Sequence, residues 1–153
     1  MGNTQKYTLG SFFTGVGGID LGFEQTNRFK TVYANEIDPY PAKTFELNHA
    51  IKIDPRDITT ITSDTIPNFD ICLAGFPCQA FSIAGHRQGF NDEKGRGNLF
   101  FELARFIQDK KPQAIFLENV KNLETHDNGN TLTTILNTLA AYGYRTTYKV
   151  LNA

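Results

Sequence analysis

Cys78 is the residue of this sequence best suited to covalent chemistry. It follows Gly75-Phe76-Pro77, just past the apolar run Phe69-Asp70-Ile71-Cys72-Leu73-Ala74, and opens a segment reaching Gly97 that holds glycines but no apolar period. Long loops inside compact domains usually bind or cover a ligand, so a thiol at the base of one is a nucleophile candidate. A chance exposed cysteine would look the same. Glu118 closes a second apolar run, Gln113-Ala114-Ile115-Phe116-Leu117, and brings a carboxylate to the same edge. Partly apolar surroundings there would raise its pKa and let it donate a proton. Asn119 beside it can hydrogen-bond a ligand. Phe13-Thr14-Gly15-Val16-Gly17-Gly18 joins a strand to a helix, and its glycines let backbone approach a ligand, although an ordinary tight turn fits the same residues. Glu36 comes about 20 positions later, the spacing that suits hydrogen bonds to ribose hydroxyls. Together the turn and the acid favour an adenosine-type cofactor without saying which.

Other candidates carry less. Cys72 sits inside an apolar run and reads as a small core residue. Arg87, Lys94 and Arg96 give the long loop a basic complexion suited to phosphates, as a solvated loop also would. His49, His86 and His126 have no partner at ligand spacing and read as surface histidines.

The elements that must position these groups alternate. Strands are predicted at 7–13, 31–34, weakly at 51–53, then at 69–74, 113–117 and 145–151. Helices are predicted at 19–25, from Pro39 onward with Ala42, Phe45 and Leu47 as its apolar side, at 98–110 halted before Pro112, and at 131–141. Asn130 is the expected N-cap of the last helix, with Gly143 past its end. Strands separated by helical crossovers predict an α/β fold with a mostly parallel sheet, and one unit over residues 1–153. Such sheets bind ligands beyond the carboxyl ends of their strands, near the point where strand order reverses. The residues just after each run are the glycine turn, Asn35-Glu36, Asp57, Gly75 through Ser82, and Glu118-Asn119.

Composition narrows the classes. A chain of 153 residues with net charge −1 suits one core, and it excludes a nucleic-acid binder relying on bulk positive charge, though not an enzyme meeting DNA through one local surface. No run approaches the roughly 18 apolar residues of a spanning helix. The first residues, Met1-Gly2-Asn3-Thr4-Gln5-Lys6, lack the apolar core of a secretory signal, and two cysteines fit a reducing cytosol rather than a disulfide scaffold. Three scattered histidines and one cysteine pair offer no structural zinc spacing.

The ordered set Phe13-Thr14-Gly15-Val16-Gly17-Gly18, Asn35-Glu36, Asp57-Ile58-Thr59, Gly75-Phe76-Pro77-Cys78-Gln79 and Glu118-Asn119-Val120 resembles the DNA (cytosine-5)-methyltransferases along almost the whole chain. Ala80-Phe81-Ser82-Ile83 and the run from Thr125 to Thr131 look closest to bacterial restriction–modification enzymes that methylate within GCGC, a matter of lineage and not of specificity. The resemblance implies a Rossmann-like methyltransferase fold, S-adenosylmethionine as cofactor, and double-stranded DNA with a flipped cytosine as substrate. It implies that Cys78 adds to C6 of that cytosine, while Glu118 holds N3 and the exocyclic amine and supplies the proton. Pro77, Gln79, Ser82, Asn119 and Val120 would contact the substrate. Phe13 would lie against the adenine, Glu36 on the ribose, Asp57 on the adenine amine and Leu99 along the adenine pocket. Gly15, Gly17 and Gly18 would face the methionine part.

The chain departs from the family pattern in extent. The later motifs, an arginine that helps hold the cytosine, the target-recognition domain, the C-terminal segment completing the cofactor pocket and the seventh strand are not matched. That predicts a catalytic core without activity of its own, as one half of a split enzyme needing a complementing C-terminal polypeptide, a truncated product or an artificial piece. Smaller departures are Lys94-Gly95-Arg96 before Leu99, and Gly10-Ser11 where many relatives carry an acidic residue. Two other readings compete: a non-catalytic Rossmann-like module sensing an adenosine ligand, and a different α/β enzyme using Cys78 on a small molecule. Pro77-Cys78-Gln79 argues against the first and Glu118-Asn119-Val120 against the second.

Overall fold

The structure, a computed structural model, describes residues 5–77 and 99–152. The element order is β1 (Tyr7–Phe12), α1 (Gly18–Glu24), β2 (Phe29–Asn35), α2 (Pro39–Asn48), β3 (Ile71–Gly75), α3 (Leu99–Lys110), β4 (Ala114–Glu118) and α4 (Asn130–Ala141). The four strands form one parallel sheet in the order β2-β1-β3-β4. The chain leaves β1 toward one edge to make β2, then returns past β1 to place β3 on its other side. Strand order therefore reverses between β1 and β3, where α/β folds of this kind open a crevice. Among the described residues no helix is long and apolar enough to cross a membrane.

Each face of the sheet buries a different chemistry. One face packs on α3, whose Phe100, Leu103, Ala104, Phe106 and Ile107 recur at three- and four-residue spacing and are all buried. Phe12 of β1 is their centre, with ring centroids 5.5 Å from Tyr33, 5.9 Å from Phe69 and 5.0 Å from Phe106. Ile135 and Leu139 of α4 and the thiol of Cys72 complete this core, and burial pushes the Cys72 pKa up. Cys72 is thus the inert core residue its sequence setting predicts. The opposite face carries the small apolar cluster Ala34, Ala42, Phe45 and Ile53, beside polar groups buried under α1. A bulge in the β1–β2 ladder after Leu9 lets Thr31 turn toward α1 while Tyr33 joins the aromatic core.

Several expectations require correction. Residues 51–53 form no strand. Among the described residues, the side of β2 away from β1 carries only an isolated bridge, Asn35 to Asp54, and Pro55 brings no N–H with which to extend a ladder. Leu47 is 79% exposed, because it stands about 200° around α2 from Phe45; the buried side is Ala42 and Phe45. The N-cap of α4 is Gly129, at φ 84°, and Asn130 is the first helical residue. Asp127 and Asn128 also have positive φ, so the chain enters α4 through a left-handed turn and not through a side-chain cap. Residues 145–151 are not a strand, since no neighbour among the described residues offers them a ladder. Asp70, expected inside a strand, instead precedes β3 and clamps the far end of the sheet. Its carboxylate accepts from Thr8 N–H and Oγ1, both at 2.8 Å, and from the Gln113 amide at 3.0 Å.

Candidate functional site

The carboxyl ends of β1, β2, β3 and β4 bring the predicted residues to one edge. After β1 the chain turns at Phe13, which has φ 52°, in the left-handed region where a bulky residue is strained. Phe13 packs against the aromatic core from this position. The turn is tied to β2 by a hydrogen bond from Thr14 N–H to Asn35 O at 3.2 Å. Glu36 then reaches back. Its Oε2 accepts the Gly15 N–H at 2.9 Å and its Oε1 accepts the Asp38 N–H at 2.9 Å. Two bonds leave a carboxylate with acceptor sites to spare, so Glu36 can shape the turn and still receive ligand hydroxyls.

Asn35 positions the next acid. Buried to 3% exposure, its amide donates to the carbonyls of Asp54 and Arg56, each at 2.9 Å, and so holds residues 54–57 against the end of β2. The Arg56 guanidinium on Asp54 keeps that carboxyl below the usual carboxylate range and stiffens the same segment. Asp57 follows, exposed, with Oδ1 accepting from the Thr59 N–H at 2.9 Å and its hydroxyl at 2.8 Å. Leu99, the first residue of α3, is half-buried against the main core.

The ends of β3 and β4 are fastened together. Asn119 donates from Nδ2 to Phe76 O at 2.6 Å, while its Oδ1 accepts the Val120 N–H. Gly75 pairs with Glu118 across the ladder, and a Cβ on Gly75 would stand 3.3 Å from Glu118 Oε2. A Cβ at 75 would ask the mobile end of the Glu118 side chain to give by only a few tenths of an ångström, so glycine leaves room for this carboxylate without dictating its place. Glu118 is exposed, not enclosed by the apolar groups expected around it. Pro77 and Val120 are exposed beside it. Cys78, Gln79 and Ser82, with His86 and the basic Arg87, Lys94 and Arg96, lie outside the described residues.

Three residues to which sequence reasoning gave no role belong to this edge. Thr14 Oγ1 is buried with no hydrogen-bond partner, the only such side-chain atom among the described residues. Ile37, 60% exposed, stands next to Glu36 as an apolar flank; a lone isoleucine between two acids was the available signal. His49, read as a surface histidine, is 8% exposed and packs beneath the glycine turn.

A family model for C-5 cytosine-specific DNA methylases matches residues 7–153. The chain is 56% identical over 145 residues to Type II methyltransferase M.Bsp6I of Bacillus sp. (strain RFL6), covering 95% of this chain and 46% of that one. It is 48% identical over 141 residues to Type II methyltransferase M.HhaI of Haemophilus parahaemolyticus, covering 92% and 42%. It thus spans less than half the length of these curated relatives. The fold is similar to that of the S. pombe Dnmt2 methyltransferase, with TM-score 0.64 at 20% identity, over 86% of this chain and 42% of the other. With a family model matched from the first strand onward and relatives near half identity along almost its whole length, this chain belongs to the C-5 cytosine-specific DNA methylase family.

Proposed function

We propose that this chain is the catalytic-core part of an enzyme that transfers a methyl group from S-adenosylmethionine to C5 of a flipped cytosine in DNA. The observation that carries the reading is the ladder pairing of Glu118 with Gly75 and the hydrogen bond from Asn119 to Phe76 O, at the entry to Cys78. One strand end leads into a thiol and its neighbour presents a carboxylate, while the turn and acid suited to an adenosine share the edge.

The residues present fit the cofactor. Glu36 keeps acceptor capacity for ribose hydroxyls, Ile37 and Phe13 offer apolar contact to a purine, and the unpartnered Thr14 hydroxyl is a buried polar group that a ligand would satisfy. Asp57 stands at the end of the segment that Asn35 holds, within reach of the same edge. When bound, S-adenosylmethionine supplies a methyl group on a positively charged sulfur.

The chain's own residues do the rest. The Cys78 thiolate adds to C6 of the ring, forming the S–C6 bond and making C5 nucleophilic, while Glu118 holds N3 and donates the proton that offsets the developing negative charge. Once C5 carries the methyl group, which the bound cofactor would give up to become S-adenosylhomocysteine, the C5 proton passes to water, the N3 proton returns to Glu118, and the S–C6 bond breaks to release the thiolate. Extrusion of the base costs a few kcal/mol, which DNA contacts supply in the complete protein. The complete protein, by this reading, carries its DNA contacts and target selection in the length its relatives have beyond this match.

Covalent capture tests the assignment. Duplex DNA carrying 5-fluorocytosine has no removable C5 proton, so with S-adenosylmethionine and a complementing C-terminal half, a methylated adduct should persist on a denaturing gel. Cys78→Ser should abolish it and Cys72→Ser should not. A surviving adduct in the Cys78 variant would remove Cys78 from the mechanism.

A further inference from the structure

A run of polar groups lies buried under the glycine turn, on the sheet face opposite the aromatic core. Ser11 of β1 donates to Asp20 Oδ2 at 3.0 Å, and Thr31 Oγ1 of β2 lies 3.4 Å from Asp20 Oδ1. The Thr31 N–H donates to Glu24 Oε1 at 3.0 Å, and Glu24 Oε2 stands 3.0 Å from His49 Nδ1. His49 caps the end of α2, its N–H on Phe45 O and its ring stacked on the Phe45 ring with centroids 4.0 Å apart. Its side chain is 2% exposed. The ring ends directly beneath Gly17, where a Cβ would come within 2.4 Å of His49 Nε2 and 2.5 Å of Phe45 Cδ2. Gly17 has φ 83° and no side chain, and its backbone is tied locally, its N–H on Thr14 O at 3.0 Å and its carbonyl accepting the Leu21 N–H at 2.9 Å.

A turn made of glycines has many accessible conformations, and ligand affinity falls when binding must select one of them. Something outside the turn must choose. From below, the rings of His49 and Phe45 both meet Gly17, and the imidazole is itself fixed twice, by Glu24 through a hydrogen bond and by Phe45 through stacking.

We propose that His49 is a positioning residue for the cofactor: wedged between Phe45 and Gly17 and oriented by Glu24, it sets the conformation of the glycine turn and thereby the grip on the amino-acid part of S-adenosylmethionine. This rests on the cofactor reading above and adds a residue that touches no ligand. His49 meets the turn at Gly17, whereas Glu36 meets it at Gly15 and spends one carboxylate oxygen there, so the larger part of the effect falls on the half of the ligand that Gly17 faces. A purely structural histidine would weaken both halves together.

The test is calorimetry on the full chain with S-adenosylhomocysteine and with 5′-methylthioadenosine, which lacks the amino-acid part, alongside hydrogen exchange at residues 14–19. His49→Ala should weaken S-adenosylhomocysteine at least about tenfold, roughly the worth of one good anchoring contact. It should leave methylthioadenosine within about twofold and speed exchange of the turn amides. His49→Phe keeps the stack on Phe45 and loses the bond to Glu24; it covers the case in which the alanine variant fails to fold, and it should lie between wild type and alanine. Equal loss of both ligands, or unchanged affinity with unchanged exchange, would overturn the proposal. If wild type binds neither ligand, the cofactor reading fails by itself. Exchange then decides whether His49 orders the turn: faster exchange confined to residues 14–19 sustains that part, and unchanged exchange removes it.

Discussion

At the scale of single residues, Thr14 and Glu36 on the site edge give opposite stability responses to mutation, and Asp20 and Glu24 in the buried polar cluster give opposite responses to pH. Thr14 Oγ1 is a buried hydroxyl without a partner, a state that costs about 1–3 kcal/mol. Thr14→Val should therefore raise the melting temperature of the ligand-free chain, yet weaken S-adenosylhomocysteine in calorimetry because the hydroxyl's partner is the ligand. Glu36→Ala should weaken the same ligand while lowering stability, since the Gly15 and Asp38 N–H groups lose their acceptor. A Thr14→Val chain that binds as well as wild type would take Thr14 out of the site. Asp20 responds to pH. Burial holds its carboxyl above the ordinary range, against the Ser11 hydrogen bond that lowers it. The folded chain thus keeps this proton where the unfolded chain, near pH 4, has released it. The resulting stability is fully present below that pH and is lost as pH rises through the elevated pKa. Glu24 behaves oppositely: burial raises it, but the Thr31 N–H and His49 outweigh burial and leave it low, so its contribution is lost on acidification. Asp20→Asn removes only the first slope. Urea titrations between pH 4 and pH 8 should show the variant gaining on wild type as pH rises, and a constant difference would refute the sign.

At the scale of elements, burial on α2 distinguishes residues that composition treats alike. Phe45 is fully buried between β2 and the glycine turn, whereas Leu47 is 79% exposed. Phe45→Ala should cost about 3–5 kcal/mol, as large-to-small changes of buried aromatics do, and it also removes the stack under His49. Leu47→Gln should stay within about 0.5 kcal/mol. Denaturant midpoints at constant slope would check both. A helical pattern predicts that one side is apolar; which apolar residue lies on that side follows from the phase of the helix on the sheet, and the phase is set by Ala42 and Phe45 meeting Ala34 and Ile53.

At the scale of the whole molecule, β4 is the last strand of the sheet among the described residues, and its outer edge carries unpaired backbone groups. Phe116 on it is 45% exposed, leaning edge-to-face on Phe23 at 5.6 Å, and Ile19, Phe23, Phe29 and Phe116 line one open apolar groove. Beyond α4, Tyr148, Val150 and Leu151 are also exposed. These surfaces predict that the 153 residues alone self-associate. Sizing across a concentration series should show species larger than a monomer, and Phe116→Lys should shift them toward monomer. A sharp wild-type monomer with strongly protected residues 145–151 would show that these surfaces are covered.

The local signals of this protein were legible in its sequence because each depends on neighbours in the chain. Period and turn chemistry located β1, β2, α3 and α4 to within a few residues, Cys72 read as core from its apolar run, and the motifs marked Glu36, Asp57 and Glu118 for one sheet edge, which parallel strands guarantee. What needed the tertiary structure were features made by residues far apart. Residues 51–53 lacked a strand because Pro55 and the isolated bridge at Asp54 left no ladder to extend, and residues 145–151 lacked one because no described residue offered them a ladder. Asn119 became the strap on Phe76 through a contact 43 residues distant. His49 looked like a surface residue because its partners, Glu24 and Gly17, are brought to it only when α1 and α2 settle on the same face of the sheet. Chain periodicity carries information about which side of an element is buried, whereas a hydrogen bond between elements depends on their relative position in space, which only packing decides.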